Sequence, residues 1–261
     1  MVSAVATGLH RRAMVASGQP RTRLCSSDLE SDIKTTTLGP TGLNVTRMAF
    51  GTWQLGGEWG HFEEDAAITA IHRARELGVN FFDTAQAYGF GTSEHILGKA
   101  VRDELTSARG ELVIATKGVL RQTDSGLVRD ASPAWLRRGV DASLTALGID
   151  HIDLYQAHWP DPTVPAADTA GALGEPVTDG KVRHVGVSDY DAAQNTAFVD
   201  HDWRSASGLF SGAIVAARQS SHVEDSLLAA EVSLTDEDLD DIDRIMTSAT
   251  PVAGPTPEGV Q

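Results

Sequence analysis

Two hydrophobic periods alternate along the chain. Residues 63–77 set Ala67, Ile68, Ile71 and Ala74 on one face at helical spacing, behind three acids in the first turn, and predict an amphipathic helix. Gly78 ends that pattern, and Val79-Asn80-Phe81-Phe82 follows as a short apolar strand. The unit recurs. Ser132-Pro133 supplies an N-cap and a proline at the first helical position for a helix carrying Leu136, Val140, Leu144 and Leu147. Gly148 closes it before Ile152-Asp153-Leu154-Tyr155, and Gly180 likewise precedes an apolar run at 182–187. Strands are predicted to begin near Met48, Asn80, Leu112, His151, Val182 and Ala213, 31–39 residues apart. That is the length of a strand–helix unit, and repeated units of one handedness build a parallel sheet.

Runs such as LVIAT at 112–116 are apolar without alternation, as expected of strands covered on both faces. Ahead of them, residues 35–45 with Gly39-Pro40 and Gly42 predict a small β-hairpin. At the far end Thr235 caps a last helix, Asp238 takes the capping-box position, and Leu234 is placed to staple onto Leu239. An open doubly wound sheet would want a GxGxxG turn after the first strand, and none is there. The predicted fold is therefore α/β, a (β/α)8 barrel of the TIM type, incomplete at about six of eight strands, with an N-terminal β-hairpin.

Charge and composition narrow the function classes. Acids outnumber bases 36 to 21, for a net charge of −15, which argues against nucleic-acid binding. No apolar run reaches membrane-spanning length, so no membrane is expected as partner. A single cysteine, Cys25, excludes an internal disulfide and a cysteine-cluster zinc site; no metal is expected, and a reducing, cytoplasmic setting is. Residues 1–27 carry Arg11, Arg12, Arg21 and Arg23 and no acid, a composition like that of an organellar transit peptide. The plainer reading is a disordered tail over 1–32, and Pro251 to Gln261 reads as a flexible tail with three prolines and two glycines. One barrel domain is expected over 33–250.

In such a barrel the chemistry gathers at the C-terminal ends of the strands. Read in order, those ends carry Asp83, Lys117, His158 and Ser188-Asp189, with Tyr88 in the loop after the second strand. Taken singly each has an ordinary reading: Asp83 capping a loop, Tyr88 packing in it, Lys117 a solvated strand end, His158 a bonded core histidine. Their succession on neighbouring strand ends is harder to explain that way.

The segments FFDTAQAYG, LVIATKG, IDLYQAHWPD and GKVRHVGVSDY, in this order, resemble the aldo-keto reductase superfamily. So do LGPTGLNVTRMAFGTWQLGG near the start and IVAARQSSHVEDS near the end, so that the resemblance covers about residues 36–258. Its flavour is that of the bacterial branch related to potassium-channel β subunits. The resemblance implies an NADPH-dependent reduction of aldehydes or ketones to alcohols, with the catalytic tetrad on Asp83, Tyr88, Lys117 and His158. Chemistry supports those roles. Hydride addition leaves negative charge on the carbonyl oxygen, so a proton donor must stand there. A lysine cation beside a tyrosine favours the phenolate and makes the phenol a better acid, while Asp83 holds the ammonium and His158 orients the carbonyl.

The same matching implies cofactor contacts from Thr52, Trp53, Ser188 and Asp189, a 2′-phosphate partner in Arg218, and an adenosine site along His222, Asp225 and Ser226. A guanidinium suits bidentate phosphate recognition, hence the expectation of NADPH. Trp53, Trp59 and Trp159 are expected to wall a pocket for a small-molecule carbonyl substrate. Nothing selects the substrate further or indicates an oligomeric state.

The sequence also departs from the family. Only residues 191–212 separate the GVSDY and IVAAR strands, too few for the sixth and seventh strands with their helices. The barrel is therefore expected to be truncated internally near 200–212, without the aromatic that stacks on the nicotinamide and part of the pyrophosphate loop, and to stand open or distorted with 191–212 poorly ordered. Gly171, Gly174 and Pro176 fall within the fourth helix, where an interior proline costs about 3 kcal/mol. A catalytically impaired or inactive remnant, or a binding subunit, is the alternative function.

Overall fold

The computed structural model describes residues 33–57, 60–191, 194, 213–228 and 235–248. The predicted hairpin forms from β1 (Thr35–Thr37) and β2 (Asn44–Thr46), paired antiparallel. Six further strands build one parallel sheet: β3 (Met48–Gly51), β4 (Phe81–Asp83), β5 (Val113–Gly118), β8 (Ile152–Ala157), β9 (Val182–Val187) and β10 (Ala213–Ala216). Each begins within one residue of its expected start. Between β5 and β8, β6 (Leu120–Thr123) and β7 (Gly126–Arg129) form a second antiparallel hairpin. The helices are α1 (Glu64–Glu76), α2 (Thr92–Ala100), α3 (Arg102–Ser107), α4 (Pro133–Leu147), α5 (Ala166–Thr178), α6 (Ser220–Leu228) and α7 (Asp236–Ser248).

Both faces of the sheet are buried. One presents Met48, Phe50, Phe82, Ile114, Tyr155 and Val185 to the helices. The other presents Ala49, Phe81, Val113, Ala115 and Leu154 inward, where Leu38, Leu43 and Val45 of the hairpin segment close the N-terminal end. The hairpin thus acts as a plug, and the opposite rim, at the strands' C-terminal ends, is left for chemistry. The local signals behave as the sequence suggested. Ser132 accepts from the Trp135 N–H at the start of α4, and Gly148 takes φ +69° at its end. On α7, Thr235 and Asp238 form the reciprocal capping bonds. Leu234 lies outside the described residues, while Leu239, Ile242 and Ile245 are exposed on that helix. The proline in α5 does not shorten it: Pro176 lies in the last turn, where its missing N–H removes one intrahelical bond, and the helix runs to Thr178.

The sheet order is β10-β3-β4-β5-β8-β9, with β9 and β10 at opposite ends. No ladder joins them among the described residues. The connection itself, apart from Asp191 and Gln194, lies outside the described residues, as do both expected tails. What is described is part of a (β/α)8-type fold.

Candidate active site

Parallel register sets the rim. Gly51 pairs with Asp83, Asp83 with Ala115, Lys117 with Gln156, and Ala157 with Val187. The strand ends therefore reach one level, with Thr52, Asp83, Lys117, His158 and Ser188 following one another around the bowl.

Lys117 is its centre. An ammonium has three protons to donate, and here each has an acceptor: Asp83 Oδ1 at 2.5 Å, the Thr84 carbonyl at 2.9 Å and Tyr88 Oη at 3.4 Å. Burial alone would drive the lysine toward neutrality, but the Asp83 carboxylate and the Tyr88 oxygen beside it reverse the effect and hold its pKa above the usual lysine value. The cation therefore persists across the physiological range. His158 behaves oppositely. Burial and the Lys117 charge push it well below the ordinary histidine value, so the ring is neutral near pH 7. Its Nδ1 is buried without a hydrogen-bond partner among the described residues.

Tyr88 is pinned between these groups. Its ring meets the edge of His158 at 5.6 Å between centroids and stacks against Trp53 at 6.0 Å. Lys117 Nζ also lies 5.1 Å from the ring centre. A phenol, a buried cation, a carboxylate and a neutral imidazole thus converge on one small volume.

The sequence profile of the aldo/keto reductase family matches residues 47–207. The chain belongs to the aldo/keto reductase family. It is 41% identical over 164 residues to the aldo-keto reductase YhdN of Bacillus subtilis, covering 62% of this chain and 49% of that protein. It is 37% identical over 171 residues to an NADH-specific methylglyoxal reductase of Escherichia coli, covering 59% of this chain and 52% of that one. The chain thus spans about half the length of the curated relatives it matches. Among solved structures, a glycerol dehydrogenase from Gluconobacter oxydans superposes with a TM-score of 0.68 at 24% identity, over 86% of this chain and 98% of that one, a likeness of fold.

Other residues singled out in this aldo/keto reductase fare unequally. Thr52 is fully buried, and both its N–H and its hydroxyl donate to the Asp83 carbonyl, at 3.0 and 3.2 Å. Trp53, next to it, reaches the tyrosine. Ser188 and Asp189 stand at the end of β9, where Ser188 Oγ donates to Asp189 Oδ2 at 3.1 Å. Asp189 takes φ +56°, and burial raises its carboxyl above the usual range against the pull of Ser188, Lys117 and Arg129. Arg218 follows β10, half-buried and without an ion pair among the described residues. His222 is exposed, and Ser226 Oγ donates back to the His222 carbonyl within α6. Trp59 and the Asp225 side chain lie outside what is described. Trp159 lies under the Arg129 guanidinium, 5.2 Å from its ring, and Arg129 also donates to the Pro160 carbonyl.

Three polar residues at this rim were not evident from sequence. Thr84 provides a carbonyl to Lys117, Ser93 bonds to Thr52 and Thr84, and Gln156 Nε2 donates to Asp83 Oδ2 at 3.5 Å. Gln156 had a signal, since it is a polar residue at the end of an apolar strand, two positions before His158.

Proposed function

We propose that this chain carries an NAD(P)H-dependent carbonyl reductase site in which Tyr88 is the general acid. The observation that carries the reading is the buried Lys117 ammonium shared among Asp83, the Thr84 carbonyl and the Tyr88 phenol beside a neutral His158. A reduced nicotinamide, when bound, supplies the hydride. The chain's own residues handle the proton. The carbonyl oxygen accepts from Tyr88 Oη and from His158 Nε2, which orient it and draw charge onto it. As negative charge grows on that oxygen, the phenolic proton moves to it, and Lys117 stabilises the tyrosinate left behind. Asp83 keeps the ammonium aimed without quenching its charge on Tyr88.

The residues at the rim fit such a cofactor. Arg218 is a half-buried cation with no ion pair among the described residues, just ahead of the α6 N-terminus, a setting that favours a phosphate. Ser188 and Asp189 offer hydroxyl and carboxylate groups at the end of β9, suited to an amide. Arg218 supports NADPH as the preferred form, in contrast to the NADH-specific relative. Substrates are small aldehydes or ketones. The setting consistent with this chemistry is cytoplasmic, and none of the described helices is long and apolar enough to cross a membrane.

Fluorescence titration of NADPH and NADH, followed by NADPH oxidation over a panel of aldehydes and ketones, tests the reading. The expected result is tighter binding of NADPH, erased by Arg218→Ala with NADH affinity nearly unchanged, and turnover of at least one small aldehyde. Equal affinities in the unmutated chain would remove Arg218 as the phosphate partner. That β9 and β10 are unjoined among the described residues favours a second reading: a chain that binds cofactor without turning over. Binding with no oxidation across the panel would select it.

A further inference from the structure

We propose that Ser93 is a positioning residue for the proton donor, tying together the residues that carry Tyr88, the counter-ion of its lysine and its stacking tryptophan. The proposal rests on the reading of Tyr88 as general acid. Ser93 lies in the first turn of α2, but its hydroxyl does not cap that helix. It faces the strand ends instead, fully buried along with Thr52 and Thr84. Ser93 Oγ lies 2.9 Å from the Thr52 carbonyl, 2.7 Å from Thr52 Oγ1 and 3.2 Å from Thr84 Oγ1. One proton assignment leaves no hydroxyl idle: Thr84 donates to Ser93, Ser93 to the Thr52 carbonyl, and Thr52 Oγ1 to the Asp83 carbonyl. The Ser93 N–H in turn donates to the Tyr88 carbonyl at 3.2 Å.

Each tie leads to the chemistry by one step. Thr52 precedes Trp53, which stacks on Tyr88. Thr84 accepts from Lys117 through its carbonyl and follows Asp83, the lysine's counter-ion. Tyr88 is held through its own backbone. The charged and titratable groups facing the phenol are Lys117 from β5, Asp83 from β4 and His158 from β8. At 3.4 Å the Lys117–Tyr88 contact is at the long end of hydrogen bonding, so a small displacement of the Thr84 carbonyl or of the tyrosine weakens it steeply. In a dry network of this kind, removing one hydroxyl releases several bonds together.

Tyrosinate absorbance near 295 nm reads the consequence without cofactor or turnover. The chain has three tyrosines, Tyr88, Tyr155 and Tyr190. Burial raises Tyr155 strongly and Tyr190 to about 12, while Lys117 Nζ stands 3.4 Å from Tyr88 Oη. We expect the first tyrosinate on raising the pH to be that of Tyr88, so that Tyr88→Phe removes it. Ser93→Ala should move that first midpoint up by about one pH unit and slow aldehyde reduction about tenfold, with the cofactor KM little changed. Thr84→Val, which keeps shape but loses the hydroxyl, should shift it the same way, and Thr84→Ser should restore it. Folded Ser93→Ala or Thr84→Val proteins that melt earlier but keep the first midpoint would overturn the proposal, as a purely structural serine would behave so. If neither variant folds, the network is a folding element and the positioning role is likewise overturned. A first midpoint that survives Tyr88→Phe would instead overturn the reading of Tyr88 itself, and the proposal with it.

Discussion

Glu94 is as deeply buried as the core leucines, accepts a hydrogen bond from Thr116 Oγ1 at 2.6 Å, and has no ion pair among the described residues. Burial raises its carboxyl above the usual range, against the opposing pull of the Thr116 bond and the Lys117 charge. The folded state holds the proton at pH values where the unfolded chain has released it, so the stabilisation is complete below the unfolded value and is lost as pH rises through the folded one. Glu94→Gln should match the wild type at acid pH and become the more stable protein as pH rises, by about 1.4 kcal/mol per pH unit across that window. Urea unfolding at a series of pH values reads this directly, and a difference independent of pH would contradict it. Residues of this kind mark the boundary of what a single sequence reveals. Asp83, Lys117 and His158 stood out because a charge directly after an apolar strand breaks a pattern. Glu94 and Ser93 open a helix, where a polar residue ordinarily faces water, and only packing shows that theirs do not.

At the scale of elements, the starts of the six parallel strands and the helices α1 and α4 were legible to within a residue because they follow from which positions are apolar. The β6–β7 hairpin was not. Leu120, Leu127 and Val128 are too few among arginine, glutamine and threonine to set a period, and the hairpin is held by its own ladder and by Arg129 on Trp159. Helix packing was equally hidden. Gly98 lies where α2 meets the end of α4, and a Cβ there would come within 2.2 Å of the Leu147 carbonyl oxygen. On an open helix face, glycine to alanine gains about 1 kcal/mol from propensity. Here the clash with backbone reverses the sign, and Gly98→Ala should destabilise by about 1–3 kcal/mol in chemical unfolding. A variant as stable as the wild type would mean that the two helices can move apart freely.

For the molecule as a whole, the order of the sheet sets the site. Among the described residues the sheet ends at β9 and β10, whereas the four residues of the proposed mechanism come from β4, β5, the C-terminal end of β8 and the loop before α2, which are contiguous. Closure of a barrel depends on strand number and stagger, but the aim of Lys117 on Tyr88 depends on the pairing of neighbours, and that pairing is continuous. A working proton donor is therefore expected from these strands whether or not the ring closes. The most direct test is the rate of NADPH oxidation with a reactive small aldehyde, wild type against Tyr88→Phe, with NADPH affinity measured on the same samples. We expect the variant to lose at least about a hundredfold in rate while binding NADPH as the wild type does. Undiminished turnover by Tyr88→Phe would contradict the account.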